Sequence, residues 1–270
     1  MVFLESVRRK SGSSRDGFPF TVPVIRTFDA LDVGAPVTFF VGENGSGKST
    51  LLEAIALAAS LPIVGAQEGA NDPSLRSQRA LADGLKLVWR TRTHRGFFLR
   101  AEDFFGFQRR LARERVEFSN RLREIDAEYR DRSDLARGLA KGPISASLNE
   151  MDRRYGSDPD ARSHGEAFLH LFGSRFVPDS LVLLDEPEAA LSPQNQLGLV
   201  ALLLAMGERG GQFIIATHSP IVLALPGARI YSFDDGRIAA ARYPELDHVQ
   251  LTRDFLNDPD RFLRRLAPER

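Results

Sequence analysis

Residues Gly42-Glu43-Asn44-Gly45-Ser46-Gly47-Lys48-Ser49-Thr50 set three glycines, a lysine and three hydroxyls between a β-rich run and a helical one. Residue types in that order suit a bound phosphate. Gly42, Gly45 and Gly47 let the backbone curl so that successive N–H groups point inward, and the helix that follows adds its positive end. Lys48 would reach the outer phosphates and Ser49 would ligate Mg²⁺. A second group closes the run "LVLLDEP": the buried strand Leu181–Leu184 delivers Asp185 and Glu186 to its carboxyl end. Asp185 would hold Mg²⁺, and Glu186 would polarise the water that attacks a terminal phosphoryl group. The third is "IIATHSP", where Thr217 and His218 end another apolar strand and can face the same phosphates.

A fourth stretch, Ser163-His164-Gly165-Glu166, begins a helical pattern and admits two readings. Ser163 with Glu166 three residues on forms a capping box, reason enough for both residues. Alternatively, this helix end holds a phosphate that belongs to another molecule. The two are compatible, because a cap leaves other N–H groups free.

The elements that must position these groups follow from pattern. "MVFLESVRRK" reads as a strand followed by a turn-rich loop, and "GLKLVWRTRTHRGFFLRAEDFF" as two strands, the second ending near Arg100. Residues 61–84 read as loop, with Gly, Pro, Asn and Asp throughout. From 103 to 137, Leu111, Phe118, Leu122, Ile125 and Tyr129 mark one stripe of a helix, interrupted by Arg115. A helix packed on its own domain is expected there rather than a coiled-coil arm. Gly and Pro then recur until Ser163. "QNQLGLVALLLAMGERG" is a helix stopped by glycines, "ARIYSFDDGRIAAARY" a hairpin turning at Asp-Gly, and the tail is helical around Pro259. Strands alternating with helices imply an α/β fold with a largely parallel sheet.

Composition narrows the rest. The chain has 270 residues with Lys+Arg and Asp+Glu balanced at 36 each, so no global positive field draws it to nucleic acid or an anionic membrane. Nine arginines between 107 and 137 are interleaved with seven acids; nucleic acid is a possible partner that the sequence does not indicate. With no cysteine, disulfides and thiolate sites are excluded. The longest apolar run, "LVALLLAM", is too short to span a bilayer, so direct membrane insertion is not expected and a cytoplasmic location is.

These pieces, in this order, resemble the ABC-type ATPases. Gly42–Thr50 is similar to the Walker A loop, Leu181–Glu186 to Walker B, "EAALSP" at 188–193 to the D-loop, and His218 to the switch histidine. Ser163–Glu166 falls where that superfamily carries its signature. More narrowly, "SHGEAFLHLF" and the tail around "LTRDFL" resemble small stand-alone bacterial ATPases of the AAA/ABC type. The resemblance implies a P-loop NTPase with a mostly parallel core sheet, an antiparallel β subdomain and a helical signature subdomain. It implies one domain over 1–270, with 103–172 as the helical insertion. It further implies ATP and Mg²⁺ as ligands and an ATP-dependent homodimer closing head to tail, in which Ser163 and Gly165 reach the γ-phosphate in trans. Glu186, His218 and Lys48 would be the catalytic residues. The pattern departs from that superfamily in two places: SHGE stands for LSGGQ, and Ser192 for the D-loop aspartate. Glu102 and Gln108 compete for the Q-loop position, and Phe18, Phe20 and Phe28 for the aromatic that stacks on adenine. Other expectations from the same pieces are a transporter's nucleotide-binding subunit, a nucleic-acid-associated ATPase in repair or defence, a non-hydrolysing nucleotide sensor and a small-molecule kinase.

Overall fold

The runs VTFFV, LVLLD and QFIIA are each buried at all five positions, as strands must be when both faces of a sheet are covered. The computed structural model describes residues 1–12, 17–64, 76–155 and 163–266. In chain order the first elements are β1 (Leu4–Arg9), α1 (Pro23–Thr27), β2 (Ala30–Asp32), β3 (Val37–Val41), α2 (Lys48–Ala58) and β4 (Ile63–Val64). Then come α3 (Arg76–Asp83), β5 (Leu85–Trp89), β6 (Gly96–Arg100), α4 (Ala101–Glu128), α5 (Asp134–Tyr155) and α6 (His164–Arg175). The chain continues with β7 (Leu181–Asp185), α7 (Pro193–Glu208), β8 (Gln212–Ala216), α8 (Pro220–Leu223) and β9 (Arg229–Ser232). It closes with β10 (Ala239–Ala241), α9 (Asp247–Asn257) and α10 (Pro259–Leu266).

A seven-stranded sheet runs in the order β10-β9-β3-β8-β7-β6-β4, parallel throughout except for β10, which pairs antiparallel with β9. Side chains alternate across it. Val37, Phe39, Val41, Val182, Leu184, Phe213 and Ile215 face one core, with Phe168 and Phe172 of α6 and Leu199 and Leu203 of α7. Phe40, Leu181, Leu183, Ile214 and Ala216 face the other, with Leu51, Leu52 and Ile55 of α2. That second core is closed by an antiparallel sheet, β2-β1-β5. The two sheets are tied by the buried amide of Gln212. Its oxygen accepts from the N–H groups of Phe3 and Leu4 at 2.8 and 2.9 Å, and its nitrogen donates to the carbonyls of Leu4 and Val33 at 2.8 and 2.9 Å. A fully satisfied buried amide holds register where an apolar side chain would allow slippage.

Two segments read as loop are helical. Part of 61–84 forms β4 and α3, because Leu81 and Ala82 bury against α2; residues 65–75 lie outside the described part. The Gly- and Pro-bearing stretch after 133 forms α5, with Pro143 inside it. Packing overrides propensity here. α5 folds back along α4 as an antiparallel hairpin, with Arg115 on Asp152 at 2.6 Å and Lys141 on Asp126 at 2.5 Å. Arg115, which breaks the apolar stripe in sequence, thus sits in the seam between the two helices. The hairpin at Asp-Gly stands as expected, and the helical tail is divided into α9 and α10 just before Pro259.

Parallel strands put their carboxyl ends on one edge. β3 ends at Val41, β6 at Arg100, β7 at Asp185 and β8 at Ala216, so the residues that follow each strand meet there.

Candidate functional site

From β3 the chain curls through Gly42, Gly45 and Gly47 at φ of 140°, 80° and 101° before α2 begins at Lys48. Gly47 is required twice over. Its left-handed backbone disfavours a side chain, and a Cβ there would stand 2.8 Å from Val24 Cγ2 of α1. The loop brackets one wall of a cleft of about 900 Å³ that also takes in Asn44, Ser46, His218, Asp234 and His248. Lys48 is buried, and its ammonium donates to the carbonyls of Gly42 and Glu43 at 2.6 and 2.8 Å. Burial lowers the pKa of Lys48, while Glu186, Asp185, Asp234 and Glu188 act in the opposite direction.

Ser49 Oγ donates to Asp185 Oδ1 at 3.0 Å, bringing together the two residues expected to hold Mg²⁺. Burial raises the Asp185 pKa to about 7, and the neighbouring Glu53 and Glu186 add to this against the opposing pull of the Ser49 hydroxyl and Arg100. A carboxyl held at such a value lacks a compensating positive charge, which suits a divalent cation. Among the described residues no group of three or more His, Cys, Asp and Glu could hold a metal. A hydroxyl and one carboxylate fit Mg²⁺, which keeps several waters and takes substrate phosphates as ligands.

Glu186 follows β7 at φ 47° and ψ 49°, a left-handed conformation for a residue with a side chain. Its N–H donates to Ala216 O of β8 at 2.9 Å, so the turn is fixed by the adjacent strand. Strain of this kind survives where the surroundings impose it and collects at functional sites. His218 Nε2 lies 3.8 Å from Glu186 Oε1, beyond hydrogen-bond reach, and has no hydrogen-bond partner among the described residues. Burial, then the charge of Lys48, holds the His218 pKa below its ordinary value despite Glu186. Thr50 lies half-buried in the first turn of α2.

The signature candidates sit elsewhere. Ser163 caps α6: its Oγ accepts from Glu166 N at 3.3 Å, and Glu166 Oε2 accepts from Ser163 N at 2.9 Å and from Ser163 Oγ at 2.8 Å. Gly165 is buried against α7, and a Cβ there would come within 2.2 Å of Asn195 Nδ2. Neither residue lines the cleft. Within one chain, capping and packing account for both.

The aromatic candidates divide. Phe20 and Phe28 are core residues at 5% and 4% exposure, whereas Phe18 is 58% exposed. Of the Q-loop candidates, Glu102 opens α4 on the surface 3.6 Å from Arg100, and Gln108 is half-buried further along. Ser192 caps α7, its Oγ accepting from Asn195 N at 3.3 Å.

Three features escaped the sequence reading. Arg100, at the end of β6, binds Glu53 of α2 at 2.8 Å and Asp103 of α4 at 2.6 Å, directly behind Asp185. Glu53 on an otherwise apolar helix face was the available sign. Glu188 Oε1 accepts from His218 N at 2.5 Å, joining the turn after β7 to the one after β8. Asp234 Oδ1 accepts from Glu43 N at 2.9 Å and so anchors the phosphate loop to the β9–β10 hairpin.

Comparison with known proteins places this geometry. The family model described as "AAA domain, putative AbiEii toxin, Type IV TA system" matches residues 167–224, and one described as "AAA domain" matches 22–83. The thiamine import ATP-binding protein ThiQ of Mesorhizobium japonicum is 30% identical over 223 residues, covering 79% of this chain and 77% of that protein. The chain belongs to the ABC ATPase superfamily. The glutamine transport ATP-binding protein GlnQ of Escherichia coli K12 is 26% identical over 229 residues, covering 83% of this chain and 86% of that protein. A solved structure of the ADP conformation of an ATP-binding cassette of an ABC transporter has a TM-score of 0.49 at 19% identity, over 96% of both chains. As an ABC ATPase the chain binds and hydrolyses ATP, and its α/β fold is that of the superfamily's nucleotide-binding domain. No described helix is long and apolar enough to cross a membrane.

Proposed function

We propose that this ABC ATPase hydrolyses ATP with Mg²⁺ in a dimer that closes head to tail around two nucleotides. What carries this reading is the Ser49–Asp185 contact at 3.0 Å, which ties the loop Gly42–Thr50 to the end of β7, with Glu186 and His218 3.8 Å apart beside it. The amides of Asn44, Gly45, Ser46, Gly47, Lys48, Ser49 and Thr50 cradle the phosphates, with Gly42 providing the turn into the loop. Lys48 leaves its two carbonyl partners and takes the outer phosphate oxygens, where its charge stabilises the transferring phosphoryl group. Ser49 and Asp185 hold Mg²⁺, which when bound neutralises phosphate charge. Glu186 orients the attacking water and accepts its proton, and His218 contacts the γ-phosphate through the nitrogen that has no partner among the described residues. Phe18, the exposed candidate, stacks on adenine. Residues 103–172 act as the signature subdomain, bringing Ser163 and Gly165 to the partner's γ-phosphate.

ATP turnover and size-exclusion chromatography test this together. Glu186→Gln should lose at least about 10²-fold in turnover and elute as a dimer only when ATP is present. Equal rates for variant and wild type would remove Glu186 from its role, and a monomeric variant in saturating ATP would overturn the dimer.

A second reading is favoured by the names of the relatives. Both are ATP-binding proteins of transport systems, so this chain would drive a membrane partner that supplies the pore. Co-purification of the Glu186→Gln variant with an integral membrane protein supports that reading; a variant that dimerises without one supports a stand-alone cytoplasmic ATPase. A nucleic-acid partner is disfavoured by the hairpin's own pairing, since Arg115, Arg121, Arg137 and Lys141 meet acids of α4 and α5.

A further inference from the structure

The cleft has a wall that the mechanism above does not use. Opposite Gly42–Ser46 it is lined by the start of α9 and the residues before it: Glu245, Leu246, Asp247, His248 and Leu251. His248 has the same defect as His218. Its Nε2 is shielded from water and has no hydrogen-bond partner among the described residues. Every other side chain of this wall is apolar or acidic, which leaves His248 as its sole donor to an anion.

We propose that His248 is a second nucleotide-contacting imidazole, donating from its ring to an outer phosphate oxygen of ATP held on Gly42–Thr50. The assignment rests on the reading of that loop as the ATP site. Three observations favour the terminal end of the nucleotide over its ribose or base. His218 and His248 line the same cleft as Gly42–Ser46 of the phosphate loop. The charge of Lys48 acts on both imidazoles, and that of His248 on His218. The exposed aromatic Phe18 does not line this cleft. Of the nearby acids, Asp234 is already engaged: it accepts from Glu43 N through Oδ1 and from Ser232 Oγ through Oδ2 at 2.7 Å, so both its oxygens have donors. Burial holds the His248 pKa below its ordinary value, against the pull of Asp234 and Asp247 and with that of Lys48. A neutral imidazole keeps one N–H donor and adds no charge that the acids would pin. Such contacts commonly tighten only when the ligand is in place.

Binding of fluorescent mant-ATP and mant-ADP to the full chain tests this. His248→Ala should weaken mant-ATP about tenfold, the value of one lost hydrogen bond to a charged group, and mant-ADP less than about twofold. His248→Gln, whose amide can donate, should recover most of the loss. Should His248→Ala fail to fold, as judged by thermal melting without nucleotide, His248→Phe refills the volume without a donor and gives the same comparison. Unchanged mant-ATP affinity overturns the assignment, and so does an equal loss for ATP and ADP. Lys48→Ala separates the two levels: if it binds mant-ATP as wild type does, the loop reading itself fails. If it loses binding while His248→Ala and His248→Phe do not, only His248 falls.

Discussion

Two clusters of charge stand back to back at the carboxyl edge of the sheet. Arg100, Glu53 and Asp103 form one, with the guanidinium held at 2.6 and 2.8 Å by two carboxylates. Lys48, Asp185, Glu186 and His218 form the other, where the ammonium falls back on its own loop's carbonyls and the imidazole Nε2 meets no partner among the described residues. Arg100 and Glu53 of the first and Lys48 and Asp185 of the second are all buried, so burial alone does not separate the clusters. Satisfaction does. Burial and the paired carboxylates act on Arg100 in opposite directions, and the carboxylates prevail. In the other cluster burial prevails at Asp185 over the Ser49 hydroxyl and Arg100, and its pKa rises to about 7. A satisfied cluster is scaffold, whereas an unsatisfied one waits for charge from outside the chain.

Substitutions in the two clusters should therefore fail differently. Glu186→Gln should remove at least about 10²-fold of turnover, a barrier increase of roughly 3 kcal/mol or more, and leave the melting temperature within a degree or two. Arg100→Ala should do the reverse. It strands Glu53 and costs about 3–5 kcal/mol of stability, read by denaturant titration, while any surviving folded protein keeps nucleotide affinity. A double variant with Arg100→Met and Glu53→Leu should regain most of that loss, because a buried pair replaced by apolar volume is close to neutral. Loss of stability on Glu186→Gln, or loss of activity alone on Arg100→Ala, would erase the distinction.

Asp185→Asn sharpens it. In the absence of Mg²⁺ and nucleotide, the folded pKa of Asp185 lies near 7 against 3.8 for the free side chain. A raised folded value means that stability is full below the unfolded pKa and is lost as pH rises through the folded one. The amide removes that loss. The variant should gain on the order of 2 kcal/mol over wild type by pH 8, with no gain near pH 4, and should turn over no ATP. A variant less stable than wild type at every pH would show that Asp185 is held by its surroundings as firmly as Arg100 is.

How much of this was readable in the sequence follows from distance along the chain. The phosphate loop, Asp185–Glu186 and Thr217–His218 are each contiguous and preceded by apolar strands, so local order carried them. The Arg100–Glu53 pair spans 47 positions and leaves no local trace beyond a charged residue on an apolar helix face. Phe20 and Phe28 could not be separated from Phe18, because burial in the second core depends on β1 and α2 being in place. α5 was hidden for another reason. Gly138, Gly142 and Pro143 all argue against a helix, and only the seam with α4, including Arg115–Asp152, outweighs them.

Ser163 is where cap and site still compete, and the smallest expected effect decides between them. Its hydroxyl already serves Glu166 in both directions, so Ser163→Ala should cost about 1 kcal/mol of stability whatever else the residue does. Glycine is the more telling substitution, because it is nearly as good an N-cap, within a few tenths of a kcal/mol, yet has no hydroxyl. If Ser163 only caps α6, Ser163→Gly in the Glu186→Gln background should dimerise at the same ATP concentration as its parent. If the hydroxyl meets the partner's γ-phosphate, the half-saturating ATP should rise about tenfold, one hydrogen bond's worth, with melting almost unchanged. Ser163→Asp pushes the same contrast further. It preserves the cap and favours the helix dipole, so the monomer should be as stable as wild type. A carboxylate facing a triphosphate, however, should abolish the dimer, and sedimentation velocity with and without ATP would show a helix that is sound and an interface that is gone.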